Sequence, residues 1–281
     1  MPMKVYLCAI SNISSGVCAE DCKFCTQSTR YKADIERYKY KSIERIVEEA
    51  KRAKAAKAIG FCLVTAGKGI DDKILEFVCE AARAVKKEVP DISLIGCNGT
   101  ASLEQLKELK RSGIDNYNHN LESAKSFYPN ICTTHSWDER YQTCLSAKEA
   151  GLSLCTGGIF GLGESPEQRE EFIDQIASLD PMSVPINFYH PNPSLPLSQK
   201  VMDKEEALAI VQKVRSRLPE AMIMVAGGRE LVFGDGWPAI FDAGANAIVI
   251  GDYLTTKGER PDKDLRTLQE LGYEIATSCH E

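Results

Sequence analysis

Three thiols stand close together near the start of the chain, in Cys18-Ala-Glu-Asp-Cys22-Lys-Phe-Cys25. With three and then two residues between them, Cys18, Cys22 and Cys25 can converge on one compact metal centre. Thiolate is the preferred ligand of iron–sulfur clusters, and a closed cubane takes four bonds from protein. Three close-spaced cysteines therefore leave one iron open to a small molecule. A structural zinc site is the alternative, but it wants a fourth Cys or His nearby. No such residue is obviously placed in the next stretch of chain.

Three further features carry chemistry. Cys62, Cys97 and Cys155 fall near the ends of separate β-branched runs. In a closed parallel barrel such ends line the active-site mouth, so three thiols converging there could hold a second metal or cluster. Any one of them alone would read as core packing. The run Tyr117-Asn118-His119-Asn120-Leu121-Glu122 puts amides, an imidazole and a carboxylate in sequence, and these are costly to bury without partners. Strand alternation would send Asn118, Asn120 and Glu122 to one face and His119 away from it. The segment Gly157-Gly158-Ile159-Phe160-Gly161 suits close approach of a ligand, with an aromatic base against Ile159, yet it lacks the Gly-Lys-Ser/Thr of a phosphate loop. Cys79 and Cys144 read as small core hydrophobes, and Trp137 and Trp237 as scaffold.

The elements that would position these groups alternate along the chain. Strands are expected at 4–10, 60–65, 93–97, 115–120, 152–156, 183–187, 222–226 and 247–250. Helices are expected at 42–56, 73–87, 103–111, 137–150, 166–179, 204–218, 237–243 and 264–271. Gly113 and Gly151 punctuate helix ends, and Ser165-Pro166 opens a helix. Eight strand–helix units in 281 residues read as an α/β protein of the (β/α)8 TIM-barrel type, one domain over 1–281 with a short tail at 272–281. A doubly wound sheet is the alternative, but it would want a glycine-rich first turn where the cysteine loop stands. Cys279 and His280 fall in the tail, where disorder is the default.

Composition narrows the class. A net charge of −6 offers no attraction to phosphate backbones, so no nucleic-acid partner is expected. No apolar run reaches bilayer length, so no membrane partner is expected, and no secretory signal pattern opens the chain. A cytoplasmic protein with reduced thiols follows. Eleven cysteines, an odd number, fit metal ligation better than a disulfide framework.

Taken together, these motifs resemble the radical S-adenosylmethionine superfamily and, within it, the biotin synthase family. The superfamily pattern is the triplet Cys18, Cys22 and Cys25 with Phe24 before the last. Family-like segments follow in order: 117–122, Thr133-Thr134 with Arg140, Cys155 before Gly157-Gly158-Ile159, 184–187, Ala226-Gly-Gly-Arg229-Glu230 and Leu254-Thr-Thr256. The resemblance implies sulfur insertion into dethiobiotin, giving biotin. It implies a [4Fe–4S] cluster on the triplet, whose open iron binds S-adenosylmethionine, and a 5′-deoxyadenosyl radical that abstracts hydrogen from the substrate. It further implies an auxiliary cluster, [2Fe–2S] in the family, held by Cys62, Cys97 and Cys155 and donating the sulfur. Asn120, Glu122 and Arg140, with Phe24, Ala66 and Ile159, are then expected to hold S-adenosylmethionine. Asn118, Asn120 and Asn187 are expected to meet the ureido ring of dethiobiotin. A homodimer and a reducing electron-donor protein belong to the same expectation.

Several positions depart from that family's pattern. Met224 stands where an arginine usually serves as fourth ligand of the auxiliary cluster, Gly60 where another arginine is common, and Ala247 where serine is common. Glu122 replaces an aspartate. The expectation is therefore a variant auxiliary cluster, with four irons or with a different fourth ligand.

Overall fold

Short, largely apolar runs such as Met222–Val225 and Ala247–Val249 build the strands, and the computed structural model, which describes residues 3–279, joins them into a closed ring. The elements are β1 (Lys4–Asn12), α1 (Ile43–Ala55), β2 (Gly60–Val64), α2 (Asp72–Glu88), β3 (Ser93–Cys97), α3 (Leu103–Arg111) and β4 (Asn116–Asn118). Then come α4 (Trp137–Glu149), β5 (Ser153–Cys155), β6 (Gly158–Phe160), α5 (Pro166–Ser178), β7 (Ser183–Phe188) and α6 (Lys204–Arg217). The chain continues through β8 (Met222–Val225), α7 (Arg229–Phe233), α8 (Ala239–Asp242), β9 (Ala247–Val249), α9 (Pro261–Glu270) and β10 (Glu274–Ile275). The staves pair in parallel, and β9 returns to β1, closing the barrel. β5 and β6 are successive segments of one stave, both resting on β7. The fold is the expected single-domain (β/α)8 barrel.

Sequence-coded caps set the helix starts. Ser102, Ser136 and Ser165 each accept the N–H three residues on, and Gln105, Glu139 and Gln168 return the bond to the cap backbone. Such reciprocal pairs satisfy amides that no helical turn can reach. The outer core lies between staves and helices, with Leu7, Phe61, Leu63 and Phe160 fully buried. A smaller cluster fills the barrel interior, including Tyr6, Cys8, Ile95, Met222, Met224 and Ala247.

Several bounds differ from expectation: β1 runs on to Asn12, α9 opens at Pro261 rather than at 264, α7 was not expected, and three further differences concern β4, α8 and the tail. β4 stops at Asn118 rather than Asn120, because the chain turns there toward β6. The helix expected at 237–243 is shortened to α8, with Pro238 as its cap after a 3-10 turn at Gly234–Gly236. The tail is not loose over its described part: Glu274 and Ile275 pair with Lys4 and Val5, and Ala276 is buried. His280 lies outside the described residues. Among the described residues, no helix is long and apolar enough to cross a membrane.

Arg229, from the Ala226-Gly-Gly-Arg229 segment, is a scaffold residue. Its guanidinium is 1% exposed, bonds both oxygens of fully buried Asp264 at 3.0 and 2.7 Å, and stacks 4.5 Å from the Trp237 ring centroid. This pair ties α9 to the start of α7, just after β8. Asp264→Ala leaves the buried guanidinium with only the partly exposed Glu230 carboxylate, 3.0 Å away, and is expected to cost about 3 kcal/mol in denaturant unfolding. Arg229→Met with Asp264→Leu should recover most of that loss; an unchanged midpoint in Asp264→Ala would contradict the role.

Candidate functional site

The loop after β1 is folded by its own backbone. The Cys25 N–H donates to the Cys22 carbonyl (3.0 Å), Cys18 N–H to Gln27 O (3.2 Å) and Thr29 N–H to Cys18 O (2.7 Å). Asp21 staples this loop to the segment before α4. Its carboxylate accepts the Thr133 N–H and hydroxyl (2.9 and 2.5 Å) and those of Thr134 (3.2 and 3.0 Å). Burial pushes this carboxyl up, but the threonine bonds outweigh it and hold it below the ordinary range. All eleven cysteines are unbridged. Burial pushes the Cys25 thiol up to about 12, with the charges of Cys18 and Glu122 adding to it.

Beside the triplet lies a group that sequence reading missed. Cys22, Cys132 and His135 bring their ligand atoms within 4.8 Å of one another, and the two sulfurs are 3.7 Å apart. His135 Nε2 lies 3.2 Å from Arg140 Nη2, which can only donate, so Nε2 accepts. The ring proton then sits on Nδ1, 2.6 Å from Glu20 Oε2 and 3.3 Å from Cys132 Sγ. Cys132 Sγ thus contacts both Cys22 Sγ and the His135 ring. The Cys132-Thr-Thr-His135 spacing was visible in the sequence, but nothing there placed it against a loop more than a hundred residues earlier.

Cys62, Cys97 and Cys155 point into the barrel from three staves. Cys97 and Cys155 end β3 and β5 as expected, whereas Cys62 is the middle residue of β2 and lies deeper. Among the described residues, neither these thiols nor the full triplet closes to the spacing of a single ion; only the Cys22, Cys132 and His135 group does. Two separated all-thiol donor sets, each wider than one ion, fit iron–sulfur clusters better than zinc. Burial raises Cys97 to about 12 and Cys155 to about 11. Coordination must therefore release protons.

Beside Cys25 of the first set lies a cavity of about 260 Å³, with none of Cys62, Cys97 and Cys155 in its lining. Phe24, Cys25, Asn120, Glu122, Ile159 and Asn187 line it, and Thr255 closes it by bonding Thr26 at 2.7 Å. Asn118 Nδ2 lies 3.6 Å from Cys97 Sγ, so this asparagine borders the second thiol set. Ala66 follows β2 and donates its N–H to Ser14 Oγ (2.7 Å). A larger hollow, of about 660 Å³ around Leu152, Met182 and Leu218, lies at the strand starts and holds none of these groups.

Arg140 joins the parts. Its guanidinium donates to Tyr128 Oη and Asn120 O, each at 2.8 Å, and Nη1 stands 3.7 Å from Glu122 Oε1. Burial pushes the Glu122 carboxyl up, against the pull of Arg140. Glu122 reaches the cavity through a left-handed turn, φ 69°, rather than by the strand alternation expected for it. The glycines serve that turn. A Cβ on Gly158 would sit 2.5 Å from Glu122 Cα, and one on Gly157 2.1 Å from Pro185 O, so they admit the chain's own backbone rather than a ligand. His119 is buried with Nε2 unpartnered, and burial holds its pKa well below the usual range.

Asn118 Oδ1 and Asn120 Oδ1 are buried with no partner among the chain's own groups. Each orphan acceptor costs about 1–3 kcal/mol unless a ligand donates to it. Asn187, in contrast, already donates to Gly158 O (3.1 Å) and accepts from Gly227 N–H (2.9 Å), leaving one N–H and one lone pair.

Comparisons with known proteins give the family and the fold. The Radical SAM superfamily matches residues 12–176, and the Biotin and Thiamin Synthesis associated domain matches residues 185–274. The biotin synthase of a Nitratiruptor species is 83% identical over 99% of this chain and 100% of its own length. That of Aliarcobacter butzleri is 65% identical over 99% of each. Among solved structures, methylornithine synthase superposes with a TM-score of 0.82 at 21% identity, covering 97% of this chain and 84% of that one. The FeFe-hydrogenase maturase of Carboxydothermus hydrogenoformans gives 0.83 at 20%, covering 99% and 69%. At such identities these two share the fold alone. High identity to biotin synthases along nearly its whole length places the chain in the biotin synthase family of the radical S-adenosylmethionine superfamily.

Proposed function

We infer that the chain converts dethiobiotin to biotin by inserting sulfur, with S-adenosylmethionine as co-substrate. Its identity to biotin synthases along nearly the whole chain carries this reading. The bound groups supply one-electron cleavage of S-adenosylmethionine, hydrogen abstraction and the sulfur atom. Cys18, Cys22 and Cys25 would hold the [4Fe–4S] cluster, and Cys62, Cys97 and Cys155 the auxiliary cluster. The orphan oxygens of Asn118 and Asn120 favour a ligand bearing N–H groups, as a ureido ring does. Asn187, anchored at two backbone points, would offer its remaining N–H to the ring carbonyl. Glu122 and Arg140, with Asn120, would take the polar end of S-adenosylmethionine, with Phe24, Ala66 and Ile159 beside it. Phe24, Phe188 and Leu195 line the cavity and exclude water, which protects a reactive intermediate.

The reading extends to a homodimer in the cytoplasm, served by a reducing electron-donor protein. Family resemblance and eleven unbridged cysteines support it. Anaerobic protein with reductant, S-adenosylmethionine and dethiobiotin is expected to form biotin together with methionine and 5′-deoxyadenosine. Cleavage of S-adenosylmethionine without biotin, by protein with both clusters intact, would refute the substrate.

A further inference from the structure

Cys8 lies in β1 outside the two thiol sets described above. Alternation turns it into the barrel with Tyr6 and Ile10, and it is 4% exposed. The interior cluster that contains it also takes in Cys62, Met224, Ala247 and Cys279. Register places it beside the auxiliary site: Cys8 pairs with Gly60 and Ile10 with Cys62, so Cys8 is one inward-facing position below Cys62 on the neighbouring stave. Its sulfur leans toward β2. A Cβ on Gly60 would meet Cys8 Sγ at 2.7 Å, so the sulfur occupies the space that any larger β2 residue would need.

The layer offers few other ligands. Met224, 8% exposed on β8, carries a neutral thioether, a weak donor beside thiolates. Ala247 and Gly60 offer none. Cys279 packs against the same interior cluster but belongs to the segment after β10, off the staves, and borders the hollow at the strand starts with Ser93 and Lys86. Cys8 alone is both on a stave and next to Cys62.

We propose that Cys8 is the fourth protein ligand of the auxiliary iron–sulfur cluster, completing a four-cysteine set with Cys62, Cys97 and Cys155. The inference rests on the reading that those three hold that cluster. On coordination the Cys8 S–H bond breaks, its proton leaves to solvent and an iron–sulfur bond forms, with no oxidant or reductant consumed. Thiolate sets of four serve both two-iron and four-iron clusters, so the ligand set alone is compatible with either.

The test uses full-length protein, reconstituted anaerobically with iron and sulfide and read by iron content and Mössbauer spectroscopy. Cys8→Ala is expected to keep the [4Fe–4S] component of the Cys18 loop and to lose auxiliary iron to a chelator at least about tenfold faster. Cys8→Ser, which preserves volume, is expected to retain auxiliary iron with altered isomer shift and visible absorption, because oxygen replaces one sulfur. Met224→Leu and Cys279→Ser should leave auxiliary iron and spectrum unchanged. Full auxiliary iron with a wild-type spectrum in both Cys8 variants would overturn the proposal. Cys155→Ala separates the two levels: if it keeps auxiliary iron, the cluster's placement is wrong, whereas if it loses iron while Cys8→Ala does not, only the fourth ligand is wrong. A folded apo-protein by circular dichroism shows that loss of iron is not loss of fold.

Discussion

Cys22→Ala protein, reconstituted without oxygen, is expected to lose reductive cleavage of S-adenosylmethionine by about three orders of magnitude or more, the scale seen when one member of a concerted catalytic unit is removed. Cys155→Ala is expected to retain measurable cleavage and to form no biotin. The two residues belong to different thiol sets. Cys22 sits on the β1 loop, against Cys132 and the Asp21 staple, whereas Cys155 ends β5 inside the barrel near Cys62 and Cys97. Methionine and 5′-deoxyadenosine measure the first activity, and biotin the second. Equal loss of both products in both variants would contradict separate roles.

Arg140→Met is expected to weaken S-adenosylmethionine binding at least about a hundredfold, since removing one partner of a buried pair costs about 3–5 kcal/mol. The guanidinium holds the Asn120 carbonyl and the Tyr128 hydroxyl and stands beside Glu122, whose carboxyl is already pushed up by burial. Without the cation that opposes this shift, Glu122 takes up its proton at a higher pH than in wild type. In the proposed role an ionised Glu122 would attract the ligand's ammonium group, so the variant's deficit should widen as pH falls and narrow as pH rises. Arg140→Lys keeps the charge but not the forked geometry and should recover only part of the affinity. Equilibrium binding at several pH values checks this; wild-type affinity in Arg140→Met would contradict it.

Much of this arrangement was legible because the barrel's staves are short β-branched runs separated by capped helices, and those local signals survive folding. Ser93–Cys97 and Leu103–Arg111 match their expected bounds. The triplet was legible for a different reason: ligand types at close spacing constrain each other whatever the fold. What escaped depends on contacts between distant segments. Cys132 and His135 meet Cys22 only because the loops after β1 and β4 open on the same end of the barrel. The purpose of Gly157 and Gly158 was misread, since their crowding comes from Pro185 and the Glu122 turn. β10 has only two residues, too few for periodicity, and is specified by its pairing with β1.

The central claim is that three thiolates hold a four-iron cluster with one iron free for S-adenosylmethionine. Electron paramagnetic resonance of the dithionite-reduced, reconstituted protein tests it most directly, recorded with and without S-adenosylmethionine. The account predicts a reduced [4Fe–4S] signal whose g values shift when S-adenosylmethionine is added, with the shift absent in Cys22→Ala. A signal unchanged by saturating S-adenosylmethionine, or a protein that takes up one zinc ion per chain and no iron, would contradict it.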